Sequence, residues 1–198
     1  MNLLLFESRR GHALPVLEPL PKEAYRQRRK ETTRWSRLQG RVRSTYRRLE
    51  ERFDYDERLC SALHHVPELT VRHSSRLGGE AARNLLHRFF KRQRLKHSAW
   101  LKVDLVLAGL GSVLTPIPGP NFFFFYPAIR AFGHYTALRG VRDPARLDRS
   151  SFVSEPLIDQ VQANMDRIED IRPLLVQLER RYNLTELERR LFSGGTRR

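Results

Sequence analysis

Apolar positions along most of this chain recur at the helical period. Trp35, Leu38, Val42, Tyr46, Leu49 and Phe53 advance by three or four residues, which predicts a helix over 23–58 with one apolar face. Ahead of it, 1–22 is set apart as an extended lead-in, because Pro15, Pro19 and Pro21 punctuate it. Loops around Pro67 and Gly78-Gly79 precede a second helix, Glu80 to His97. There Leu85, Leu86, Phe89 and Phe90 share one side, while Arg83, Arg88, Lys91, Arg92 and Arg94 fill much of the rest. Near the end, Leu157, Ile158, Val161, Met165 and Ile168 form another helical stripe. Pro173 opens a further helix, and Thr185 with Glu188 fits a capping box. Gly194–Arg198 reads as a frayed tail.

One segment breaks this pattern. No charged residue occurs between Asp104 and Arg130, a stretch long enough to pass for a membrane span. Pro116, Pro118 and Pro120 with Gly119 forbid a single helix, since proline lacks the amide donor and clashes with the preceding turn. The segment divides into a helix ending near Leu114, a turn of Pro116, Pro118, Gly119, Pro120 and Asn121, and a second helix opening near Asn121 or Pro127. Two physical choices follow: a hairpin dipping into one leaflet, or a hairpin buried in a soluble core. The flanks favour the first. Both are rich in Lys and Arg, and a single crossing would translocate one of them, against the positive-inside tendency.

The fold class expected is therefore mainly α. Basic amphipathic helices span 23–98, a Pro/Gly-turned apolar hairpin spans 99–141, and helices with the frayed tail fill 142–198.

Charge narrows the choice of partner. The chain has 198 residues, with 37 Lys+Arg against 22 Asp+Glu and a formal charge of +15. That excess calls for an anionic partner, and it lies in the first three-quarters of the chain, because 150–198 is balanced. A basic face beside an aliphatic-aromatic face, as over 80–97, suits the surface of an anionic phospholipid membrane, and by pattern alone it suits even better an ordinary core-packing helix with a solvated basic face. Cys60 is the single cysteine, which argues against a disulfide-stapled secreted domain. Leu3–Phe6 is too short an apolar run for a signal peptide, and Glu7, Glu18 and Glu23 interrupt any organellar presequence. The expected location is the cytoplasmic face of an inner (cytoplasmic) membrane.

Catalytic chemistry has no visible carrier, so no enzyme and no cofactor are expected. Cys60, His64 and His65 lack a second ligand pair, so no metal site is expected either. Gly109-Leu-Gly111 lacks the third glycine of a dinucleotide fingerprint and suits close helix packing instead. The polar stripe of the second hairpin arm is more specific. Tyr126, Arg130 and His134 stand four residues apart, and folding about 117–119 brings Asp104 opposite Arg130 and His134. An Asp–Arg or Asp–His pair across the hairpin follows, with register-fixing as its first role and a proton relay as the alternative.

Pro118-Gly-Pro120-Asn121, then Tyr126-x-x-x-Arg130-x-x-x-His134-x-x-Ala137-x-x-Gly140, resembles the signature of the mitochondrial K+–H+ exchange-related family and its bacterial relatives. The match covers about 95–145, and the Phe122–Phe125 block and the missing presequence point to a bacterial-type member. The resemblance implies a role in monovalent-cation balance at an inner membrane. It carries over no catalytic residue. An antiporter needs several spanning elements around a midplane site, and one hairpin cannot enclose an ion path. The reading is thus a membrane-associated accessory protein of potassium/proton homeostasis, bound to a transporter complex or to copies of itself. The alternative is a soluble Arg-rich RNA-binding protein.

Overall fold

The computed structural model describes the chain except for residues 9–10, 19–54, 65, 67, 114–121, 144, 166, 185–186 and 194–198. The elements run β1 (Asn2–Glu7), β2 (Ala13–Leu17), α1 (Tyr55–Leu63), β3 (Thr70–His73), α2 (Gly79–Val113), α3 (Phe122–Val141), α4 (Arg146–Arg149), β4 (Ser151–Ser154), α5 (Pro156–Ala163), α6 (Ile168–Arg181) and α7 (Leu187–Ser193). They fall into two compact units. One comprises Met1–Pro19, Val66–Phe90 and Pro144–Arg198, and the other Leu20–His65 and Lys91–Asp143.

The chain is mainly helical, as expected, but the first unit adds what the helical pattern did not predict, a four-stranded sheet of order β2-β1-β3-β4. β1 pairs antiparallel with β2, while β3 runs parallel to both β1 and β4. Leu3, Leu4, Leu5 and Phe6 are all fully buried. A run without alternation is what a strand covered on both faces requires. Leu4 and Phe6 join Ile158 and Val161 of α5 and Ile171, Leu175 and Leu178 of α6 in one core. Leu3 and Leu5 point the other way, as do Val71 and Phe152 by register. The start of α2 meets that face: Gly79 lies close to Phe152 and His73, and the Arg83 guanidinium stacks on the Phe152 ring. Pro15 sits in β2, an edge strand, where a missing amide donor is tolerated.

Burial in this unit settles a second expectation. Leu85, Leu86, Phe89 and Phe90 are core residues, so the apolar face of 80–97 is consumed by the protein and cannot lie on a bilayer. Arg83, expected on a membrane-facing surface, pairs with Asp148 at 3.4 Å. Arg88, Lys91, Arg92 and Arg94 are exposed. Pro173 lies inside α6, which opens earlier at Ile168 rather than at the proline. The stripe drawn from Leu157 to Ile168 is interrupted where α5 ends at Ala163. Asn183, at φ 49°, turns the chain after α6 while the Leu184 amide donates to the Glu179 carbonyl, a glycine-type helix stop.

In the second unit the described elements are α1, the Lys91–Val113 part of α2, and α3. The boundary expected at 98/99 does not exist, because α2 continues across it without a break. Of the two expected starts for α3 the one near Asn121 holds, since the helix opens at Phe122 and Pro127 stands inside it. Pro127 leaves the Phe123 carbonyl without its usual helical donor. Gly111 of α2 lies directly against that carbonyl, and an added Cβ there would overlap it. The expected 23–58 helix up to residue 54, the turn Pro116–Asn121, the cap residue Thr185 and the tail lie outside the described residues.

Candidate functional site

In the second unit, α3 and the part of α2 beyond Lys91 carry a largely reversed polarity. The buried positions of α2 beyond Lys91 include Gln93, His97, Asp104, Ala108 and Gly111. Those of α3 include Ala131, Gly133, His134, Ala137 and Gly140. Polar and small side chains face inward. The large apolar ones face out: Leu110 is 65% and Phe123 71% exposed, with Leu105, Val106, Val113 and Phe125 also outside.

The inward polar groups converge. His97 and Asp104 lie seven residues apart, two turns along one face of α2. α3 brings His134 and Arg130 to meet them, and α1 brings Glu57. His97 is 0% and Asp104 2% exposed. The Asp104 Oδ2 atom stands 3.4 Å from His134 Nε2 and 3.6 Å from Arg130 Nε. On its other side His134 Nδ1 is 3.0 Å from His97 Nδ1 and 3.6 Å from Glu57 Oε1. Nearby, Gln93 Nε2 donates to Asp56 at 2.8 Å. The Arg130 guanidinium also lies over two aromatic rings, 5.2 Å from the centre of Trp100 and 5.9 Å from that of Tyr126.

Burial pushes the His134 pKa down. Asp104 opposes that, while Arg130 and Lys96 add to it, and the net shift is below the ordinary 6.5. His134 is therefore a neutral imidazole at pH 7. With the Asp104 carboxylate facing Nε2, the tautomer carrying its proton on Nε2 is favoured, which leaves the Nδ1 lone pair aimed at His97 and Glu57.

Of the residues singled out from sequence, Asp104, Arg130 and His134 stand together in this cluster. Tyr126 is attached only through Arg130 and is itself exposed. Glu57 and His97 were missed. The signal for His97 was its two-turn spacing from Asp104, which is visible only if α2 is taken as one helix. Glu57 sits in a mixed-charge run, Asp56-Glu-Arg58, and carries no such signal.

A family model described as mitochondrial K+–H+ exchange-related matches residues 16–147, well over half of the chain. The chain belongs to that family. The match includes all of the cluster and all of the reversed-polarity helices. No curated protein and no solved structure matches the chain. Arg130 and His134 engage Asp104, and Ala137 and Gly140 lie on the buried side of α3.

Proposed function

We propose that this member of the family is a membrane-associated accessory protein of potassium/proton homeostasis, with the far ends of α2 and α3 set into one leaflet of an anionic membrane. The reversed polarity of these two helices carries the reading. Soluble helices bury apolar groups, whereas helices in hydrocarbon bury polar and small ones against each other. Exposed large apolar side chains gathered on one end of two helices suit a membrane or protein contact.

The dimensions support one leaflet rather than two. Among the described residues no helix is long and apolar enough to cross a membrane. Leu105–Val113 rises about 13 Å, against roughly 15 Å for half of the hydrocarbon core. Trp100 and Tyr126, exposed beside Arg130, would then lie at the interface, where amphipathic rings are enriched. Exposed Arg92, Arg94, Lys96 and Lys102 would face headgroups. An ion path enclosed by spanning elements is not supported by helices of this length, which favours an accessory role over a carrier.

Cell fractionation tests the reading. The chain should sediment with membranes, resist a high-salt wash and be released by detergent. Release by salt alone would mean a purely electrostatic binder. Reversing Arg88, Lys91, Arg92 and Arg94 to Glu should weaken binding to anionic vesicles by roughly 1 kcal/mol per base. Unchanged vesicle affinity with lost RNA binding would favour the RNA-binding alternative. Deleting the protein should shift the dependence of growth on external K+ and pH, and unaltered growth would remove the homeostasis part.

A further inference from the structure

We propose that Glu57, His97 and His134 form a site for one zinc-class divalent cation, which clamps α1, α2 and α3 together. Each helix contributes one donor atom, all three residues are buried, and the ligand atoms lie within 4.8 Å of one another. In a tetrahedral zinc site, bonds of 2.0–2.2 Å place donor atoms about 3.3 Å apart. Two of the separations here, 3.0 Å between the Nδ1 atoms and 3.6 Å from His134 Nδ1 to Glu57 Oε1, bracket that value.

A direct hydrogen bond between the two imidazoles explains the 3.0 Å separation by itself. It does not explain why a carboxylate oxygen converges on the same point. Nor does it explain the carboxylate behind His134: Asp104, at Nε2, occupies the position of the outer carboxylate in a carboxylate–histidine–metal triad, which fixes the ring and its tautomer. Two imidazoles and one carboxylate suit zinc and its transition-metal neighbours. Calcium and magnesium would ask for six or more oxygens. Three protein ligands leave one position for water or an exogenous ligand.

The test is a titration of the purified full chain, stripped by chelator, with Zn2+ alone, and a parallel titration with Co2+ as a spectroscopic probe. One equivalent should bind, raising Tm, and Co2+ should show the intense d–d bands of a low-coordinate site. His97→Ala and His134→Ala should abolish those bands, and Glu57→Gln should weaken binding at least tenfold. Asp104→Asn should weaken binding by about 10- to 100-fold while leaving the stoichiometry at one. His87→Ala, at an exposed position of the same helix, should change nothing. Failure of the wild-type chain to take up one equivalent would overturn the proposal whatever the variants do. So would uptake unchanged in both His97→Ala and His134→Ala, which would place the metal on other histidines. Vesicle binding does not enter this measurement, so the membrane reading and the metal site stand or fall separately.

Discussion

Gly140 of α3 lies directly against the backbone carbonyl of Cys60 in α1, with no room for a side chain between them. Ala137, one turn earlier on the same face, is fully buried. The Ala137-x-x-Gly140 step of α3 is thus a helix-crossing device, which lets two backbones approach as small residues do. Close approach of α1 also carries Glu57, three residues before Cys60, to His134.

Gly140→Ala should therefore destabilise the chain, because the added carbon meets backbone rather than a movable side-chain end. Overpacking of this kind costs about 1–3 kcal/mol. Chemical denaturation of the variant measures it, and a loss below about 0.5 kcal/mol, the usual range of neutral surface changes, would mean that the crossing is looser than described.

The Asp104–Arg130 pair should show measurable coupling. Breaking a fully buried pair costs about 3–5 kcal/mol. Arg130 is only partly buried, however, and keeps the Trp100 and Tyr126 rings when the carboxylate is gone. A coupling of about 1–2 kcal/mol is the expectation from a double-mutant cycle of Asp104→Asn and Arg130→Gln. Zero coupling would mean that the two helices do not hold the register described.

Asp159 gives the first unit a pH signature. Partial burial raises its pKa, but hydrogen bonds from the Ser74 and Ser75 hydroxyls and the Ser75 amide outweigh this. Arg76 adds to them, and the net shift is below the ordinary 3.8. A carboxyl with a depressed folded-state pKa contributes stability above its unfolded pKa and loses it as pH falls through the folded one. Asp159→Asn should thus be less stable than wild type at neutral pH, and the gap should close on acidification below 3.8. A gap that stays constant down to full protonation would show that the carboxylate charge is irrelevant there.

Much of the second unit was legible because its signals are local. The end of α2 near 114 follows from the prolines after it, and the 126–130–134 stripe needs only helical spacing. The first unit was not legible. Leu3–Phe6 is too short for its lack of alternation to distinguish a buried strand from a helix fragment. Ser151-Phe-Val-Ser154 becomes a strand only because β3 lies beside it. Pro173 misled, because it stands in the second turn of α6 rather than at its opening. The pattern over 80–97 fits a membrane surface and a core-packing helix alike, and only tertiary packing shows that Leu85, Leu86, Phe89 and Phe90 are buried in the protein.

Charge placed at the far end of the second unit should abolish membrane binding without disturbing the fold, because Leu110 and Phe123 are exposed. An Asp deep in hydrocarbon costs about 2.5–3.5 kcal/mol, so Leu110→Asp should weaken vesicle partitioning by about a hundredfold. Helical content by circular dichroism should stay the same. Equal partitioning of the variant would mean that position 110 never leaves water.

The depth of position 110 tests the membrane account most directly. An environment-sensitive fluorophore attached through Leu110→Cys, in a Cys60→Ser background, should shift to the blue on mixing with anionic vesicles. Lipids carrying a quencher on the acyl chain should quench it, and both effects should persist in high salt. The same label at Arg92→Cys should remain unquenched. A label at position 110 that stays in water while the protein sediments with the vesicles would contradict insertion.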